Sequence, residues 1–352
     1  MADPSGQALS IVVALAFLCS LVVTRLAIRY AHRRRLIDHP GRRRSHAAPT
    51  PRGGGIGIVV AVSAALAAAW VAGGAGIARD LVAALLAATL LVAFVGWLDD
   101  HRPAGILPRL AAHVLAAALL AAALARTGGL PPGWPPALAA ATVIAGTAWS
   151  INLHNFMDGI DGLLASQALF VLLVFAALAH RAGATAAPGL VAAAAVAGFL
   201  PSNAPRAAIF LGDVGSGTLG FLVAAVAWLG IAEGAFGIAG ALVACSAFAA
   251  DATCTLLSRM LRGRRWYSAH REHLYQWLVR SGYSHAGVVA RYMAWNLFVA
   301  LPVIAWMNRM PRSPMLAGTI TAAVYAIAVA AWWAGKRWCI ARARRGSVHA
   351  AA

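Results

Sequence analysis

The chain has 352 residues, 61% of them hydrophobic and only 11% charged, with a formal net charge of +18. This exceeds the roughly half-apolar make-up of soluble domains, and the apolar residues fall in long runs. A soluble globular fold is thereby excluded, and the chain reads as an all-α, polytopic integral membrane protein.

In chain order, apolar segments fall at residues 9–30, 56–77, 81–98, 107–125, 136–153, 163–179, 186–200, 215–232, 236–258, 288–307 and 315–335. A straight span needs ~20 residues, so the pattern predicts ten or eleven transmembrane helices, eleven being the best count. Residues 1–352 then form a single transmembrane domain, with an inner loop at 259–287 and a basic tail at 336–352. The opening MADPSGQALS has no basic stretch before the first apolar run, so that segment is expected to stay as an anchor rather than be cleaved as a signal peptide. Cys19, Cys245, Cys254 and Cys339 lie in or beside apolar runs without paired spacing, which argues against a disulfide framework and against zinc.

Placing the N-terminus outside leaves only Arg79, Arg126, Arg181, Arg309 and Arg312, of 29 lysines and arginines, on the outer side. So strong a bias follows the positive-inside rule and puts the C-terminus in the cytoplasm. The net charge therefore reads as topology and attraction to an anionic leaflet. Nothing interleaves it with a stacking surface, which argues against nucleic-acid binding. The same topology gathers Asp38, Asp99, Asp100, Asp158, Asp161, Asp213 and Glu272 at inner span ends or inner loops. Asp251 lies about two helical turns inside the membrane from Arg259.

In GWLDDHR, Asp99 and Asp100 end the third span. Acids at a helix C-terminus oppose the macrodipole, and adjacent carboxylates repel unless a cation is shared, so a metal or cationic substrate is favoured over solvent decoration. NLHNFMDGIDGL packs Asn152, Asn155, Asp158 and Asp161 between two apolar runs. These hard oxygen ligands suit Mg²⁺ beside a phosphate-bearing substrate. In FLGDVGSGTLGF, Asp213 precedes Gly215 and Ser216 at the start of a span, where free backbone amides would suit phosphate next to a metal-bound carboxylate. A capped glycine-rich turn is the plainer reading of that motif taken alone.

Residues 268–279 of the last inner loop are expected to form an amphipathic helix with Leu274, Trp277 and Leu278 on one face. That helix would place His270 and His273 on neighbouring positions, able to contact phosphate or sugar hydroxyls. Residues 38–58 carry an arginine run and end in PRGGG at the foot of the second span, offering a cation and flexible backbone.

Together, GWLDDHR, NLHNFMDGIDGL, FLGDVGSGTLGF and HREHLYQWL, in this order and at inner positions, resemble the polyprenyl-phosphate N-acetylhexosamine-1-phosphate transferase superfamily. Residues 38–58 resemble the first inner loop of the same family. The resemblance implies a multi-pass enzyme of the inner, or plasma, membrane with a cytoplasmic active site. Its reaction would move an N-acetylaminosugar 1-phosphate from a UDP-sugar to undecaprenyl phosphate, releasing UMP and requiring Mg²⁺ or Mn²⁺. It also implies homodimers. Asp99, Asp100, Asp158 and Asp161 are implied in catalysis, and Asp213, Asn155 and Asp100 as metal ligands. Arg52, His46, Asn152, Gly215, Ser216, His270, Arg271 and His273 are implied in substrate binding. Asp251 resembles an aspartate often found late in the ninth span.

Where better-known branches carry three clustered histidines, this chain has HREH followed by LYQ. With the downstream SGYSHAGVV, it looks closer to the branch that starts O-antigen on 6-deoxy amino sugars such as N-acetylfucosamine or N-acetylquinovosamine, with N-acetylglucosamine also open. The rival class, a transporter, would place its functional acids near the bilayer midplane, where only Asp251 fits.

Overall fold

The computed structural model describes residues 4–39, 48–72, 77–102, 105–264, 270–310 and 313–349. His46 lies outside the described residues. The chain is helical almost throughout. It runs α1 (Pro4–Arg34), β1 (Ile37–Asp38), β2 (Thr50–Pro51), α2 (Ile56–Val71), α3 (Arg79–His101), α4 (Ile106–Arg126), α5 (Pro136–Met157), α6 (Leu163–Arg181), α7 (Ala187–Phe199) and α8 (Asp213–Ala232). It continues as α9 (Ile238–Ala244), α10 (Ser246–Leu261), α11 (Leu274–Arg280), α12 (His285–Trp295), α13 (Leu301–Met307) and α14 (Pro314–His349).

Each apolar segment expected from the sequence coincides with helix over most of its described residues, 236–258 with two helices, α9 and α10. Among the described residues eight helices are long and apolar enough to cross a membrane, or nine when α9 and α10, bent by 79°, are taken as one span. The two remaining segments, Ile56–Val71 and Ala187–Ser202, are shorter apolar helices. One span is interrupted by a π-helical turn at Asn296–Ala300. Pro302 follows immediately, and its missing N–H withdraws one hydrogen bond from the ladder there.

Helix α8 is the axis of the bundle. Every residue from Val214 to Val226 is buried, and α3, α5, α6 and α2 pack around it. Lipid is as apolar as leucine, so helices in a membrane associate through close packing, and small residues permit it. At Gly220 a Cβ would sit 2.6 Å from the Ser150 carbonyl and from the Ile151 Cα, so α8 and α5 meet backbone to backbone. Ser150 Oγ donates to the Gly220 carbonyl at 2.7 Å along the same seam.

The expected amphipathic helix is corrected. Its helical part starts only at Leu274, and His270 to His273 form an irregular lead-in. Tyr275 and Leu278 are its buried residues. The irregular start has a cause in hydrogen bonding, since the first amides of α11 are taken by a carboxylate from another helix, Asp251.

Candidate active site

At one end of the bundle a cavity of about 890 Å³ opens between the ends of α3, α5, α8 and α10 and the loop before α11. Its lining carries acidic and polar side chains, Asp100, Asp158, Asp161, Asp213, Asn152 and Asn155, together with apolar ones, Ile106, Leu110, Trp149, Leu256 and Met260.

Asp99 and Asp100 occupy the last turn of α3, where their charge is unfavourable to the helix. The fold compensates each differently. Asp100 reaches across to the start of α8, where its two oxygens accept from the amides of Asp213 and Val214, each at 3.1 Å. It thus does from a distant helix what an N-cap side chain does locally. Gly212, just before α8, has φ +72°, and a Cβ there would lie 2.5 Å from Asp100 Oδ2, so only glycine fits between them. Arg52, on the segment after β2, donates to the Asp100 carbonyl, with its Nε 3.9 Å from Asp100 Oδ1.

Asp99 pairs with Arg109 of α4, Nη1 to Oδ2, at 2.7 Å. The same guanidinium lies 3.9 Å from Asp213 Oδ2 and donates to Asn155 Oδ1 at 3.3 Å. Asn155 Nδ2 donates in turn to Asp213 Oδ1 at 2.5 Å and to Ser216 Oγ at 3.0 Å. A planar, five-donor cation is well suited to bridging such oxygens.

Asp158 ends α5 and is half-buried in the cavity wall. Burial pushes its carboxyl well above the usual carboxylate range, and the charges of Asp213 and Asp100 push it further in the same direction. Asp161 pairs with His285 Nδ1 at 3.2 Å and accepts from the Ala207 amide at 3.2 Å. Between the two aspartates, a Cβ at Gly159 would overlap the Tyr275 hydroxyl, so this turn is pressed against α11.

His270 and His273 both line the cavity with ring centroids 5.0 Å apart, close together although not on a helix. Burial, then the charges of His273 and Arg259, push His270 down to about 4, so it is a neutral imidazole at pH 7. Arg271 does not line the cavity.

Gly215 and Ser216 need correction as phosphate binders. Both are buried outside the cavity lining. Their amides donate to the Gly212 carbonyl at 3.0 and 2.9 Å, while those of Asp213 and Val214 are held by Asp100. The start of α8 therefore has no amide left for an anion. The glycine instead permits packing, since Gly215 lies against Gly55 backbone to backbone.

Three cavity residues escaped sequence reasoning. Arg109, His285 and Tyr275 line the cavity, and their sequence context assigned none of them a role there. A guanidinium one turn into the helix after an Asp-Asp pair was the one available signal.

The donors fit a hard divalent cation. Asp100, Asp158, Asp213 and Asn155 present only oxygen and amide chemistry to one cavity, and Asp99 stands behind them on Arg109. Among the described residues no three His, Cys, Asp or Glu side chains converge into a closed cage.

Comparison with known proteins agrees with this geometry. The family model for glycosyl transferase family 4 matches residues 82–231, which run from α3 to the end of α8 and include all five central aspartates. The chain is 28% identical over 333 residues to the decaprenyl-phosphate N-acetylglucosaminephosphotransferase of Mycobacterium tuberculosis, covering 82% of this chain and 80% of the relative. To the probable undecaprenyl-phosphate N-acetylglucosaminyl 1-phosphate transferase of Bacillus subtilis it is 25% identical, over 77% of each chain. To the phospho-N-acetylmuramoyl-pentapeptide-transferase of Mycobacterium avium it is 32% identical, over 61% of this chain and 74% of the relative. With four of those five aspartates lining one cavity and these relatives matching most of its length, the chain belongs to glycosyl transferase family 4, among the polyprenyl-phosphate N-acetylhexosamine-1-phosphate transferases.

Proposed function

We propose that this enzyme transfers an N-acetylaminosugar 1-phosphate from a UDP-linked donor to undecaprenyl phosphate at the cytoplasmic membrane face, releasing UMP. The observation that carries the reading is a single cavity whose lining combines a group of carboxylates and carboxamides with large apolar side chains. Ile106, Leu110 and Met260 line the cavity and are exposed, which suits an apolar polyprenyl chain whose phosphate would meet the carboxylates.

Both reactants are anions, so positive charge has to join them. Mg²⁺, or Mn²⁺ in its place, held by Asp213, Asn155 and Asp100 with the donor diphosphate, would supply that charge and stabilise the leaving UMP. Arg109 and Arg52 add fixed cations on either side of the carboxylates. Asp99 is tied to Arg109 and Asp161 to His285, whereas Asp158 has no ion-pair partner among the described residues. With its carboxyl raised, Asp158 is the best base for the proton of the lipid phosphate. His270, His273 and Asn152 line the part of the cavity left for the nucleotide and sugar. His46 and Arg271 are retained as donor-binding candidates of the two inner loops.

Counting the two shorter helices as crossings yields eleven spans, with the N-terminus outside and the basic loops and tail in the cytoplasm. The relatives' names favour N-acetylglucosamine, and the HREHLYQ loop favours a 6-deoxy amino sugar that would start an O-antigen or other surface polysaccharide. The test is to incubate purified protein, undecaprenyl phosphate and Mg²⁺ with a panel of UDP-N-acetylaminosugars and measure UMP and lipid-linked product. One sugar is expected to give UMP only when the lipid is present. UMP release from none of them would end this reading, as would full turnover in Asp213→Asn.

A further inference from the structure

Asp251 of α10 does not line the cavity, yet its buried carboxylate accepts five hydrogen bonds. Oδ1 takes the Leu274 amide at 2.7 Å, Trp332 Nε1 at 3.0 Å and Thr255 Oγ1 at 3.2 Å. Oδ2 takes the Tyr292 hydroxyl at 2.6 Å and the Tyr275 amide at 3.3 Å. His273 Nδ1 lies 3.7 Å from Oδ1. A charge at this depth costs several kcal/mol unless it is fully satisfied, and here α10, α11, α12 and α14 all contribute donors.

We propose that Asp251 is a positioning residue that sets the histidine loop and the Asp158 turn against each other for binding of the nucleotide-sugar. Two of its five donors are backbone amides directly following His273, so it determines where that loop enters α11. With Nδ1 turned toward Asp251, Nε2 is the ring nitrogen His273 has left for a ligand. On the other side, the Tyr275 hydroxyl donates to the Phe156 carbonyl at 3.2 Å and fills the space a side chain at Gly159 would need. The Tyr275 ring also stacks on His273, centroids 5.7 Å apart. A shift of Leu274 and Tyr275 therefore moves the His273 ring and the turn carrying Asp158 together. A carboxylate serving only to join transmembrane helices would not need those two amides.

This inference rests on the assignment of His273 to the donor side of the cavity. The experiment measures kcat and KM separately for the UDP-sugar and for undecaprenyl phosphate in Asp251→Asn, Asp251→Ala, Tyr292→Phe, His273→Ala and the Asp251→Asn/His273→Ala double variant. Partners that orient metal-bound histidines are commonly worth about 10–100-fold, and on the same orienting principle Asp251→Ala should raise the donor KM by about tenfold or more while the lipid KM stays put. Asp251→Asn should recover part of the loss. In the His273→Ala background, Asp251→Asn should change the donor KM little further. Tyr292→Phe removes one donor and leaves the carboxylate in place, so it should raise the donor KM by a smaller factor even if Asp251→Ala does not fold. Donor KM unchanged in both Asp251→Asn and Tyr292→Phe overturns the inference, as does full additivity in the double variant. If His273→Ala itself leaves the donor KM unchanged, the assignment of the histidine loop fails and the inference falls with it. A His273 effect without an Asp251 effect overturns the inference alone.

Discussion

Asp100 and Asp213 meet through the backbone, because the Asp100 carboxylate accepts the Asp213 amide at 3.1 Å while the Asp213 side chain turns to Asn155. Asp100 thus does two jobs and Asp213 one. Asp100→Ala removes a cap from the central helix and should cost about 1–2 kcal/mol of stability together with most activity. Asp213→Asn leaves the backbone cap intact, and should abolish turnover with a thermal midpoint close to wild type. Thermal unfolding in detergent beside UMP release checks both, and equal destabilisation by the two variants would contradict the division of labour.

Arg109 is the cation that holds Asp99, Asp213 and Asn155 together. Lysine keeps the charge and loses the fork, so Arg109→Lys should lower kcat/KM about tenfold or more. Arg109→Ala leaves the carboxylates uncompensated, and the Mg²⁺ concentration for half-maximal residual activity should fall. A Mg²⁺ titration that shifts upward or not at all would remove Arg109 from the electrostatics of the site.

The raised carboxyl of Asp158 carries a sign that can be measured. A carboxyl raised in the folded state binds more protons folded than unfolded, so its contribution is full below about pH 4 and is lost as pH rises through the raised value. In a chelator, Asp158→Asn should therefore gain stability over wild type as pH increases, and Mg²⁺ should shrink that gain. Parallel curves of thermal midpoint against pH for the two proteins would count against the shift.

Gly159 is pressed against the Tyr275 hydroxyl. Gly159→Ala should cost about 1–3 kcal/mol and displace the Asp158 turn, lowering activity with it. Tyr275→Phe removes the hydroxyl that the new Cβ would meet, so the penalty of Gly159→Ala should be smaller in that background. An additive double variant, read by thermal unfolding, would show that the two groups do not touch.

The membrane class, the apolar helices and the gathering of acids were legible because hydropathy runs, arginine bias and motifs such as DGIDG are properties of neighbours along the chain. All five central aspartates could be named that way, since each lies in a short polar island between apolar runs. The partners could not. Asp100 and Val214 are 114 positions apart, Asp161 and His285 are 124, and each pair exists only because the end of α3 meets the start of α8 and the turn before α6 meets the start of α12. The misreadings have the same cause. The expected helix starts only at Leu274, where Asp251 takes the amides of Leu274 and Tyr275, and the glycine-rich start of α8 resembles a phosphate loop until Asp100 takes the amides of Asp213 and Val214. The sequence alone singled out the acidic and carboxamide groups that gather at this end of the bundle. The tertiary structure decided which of them face the cavity and which hold the others in place, because a hydrogen bond between distant segments is formed by packing and leaves no local period in the chain.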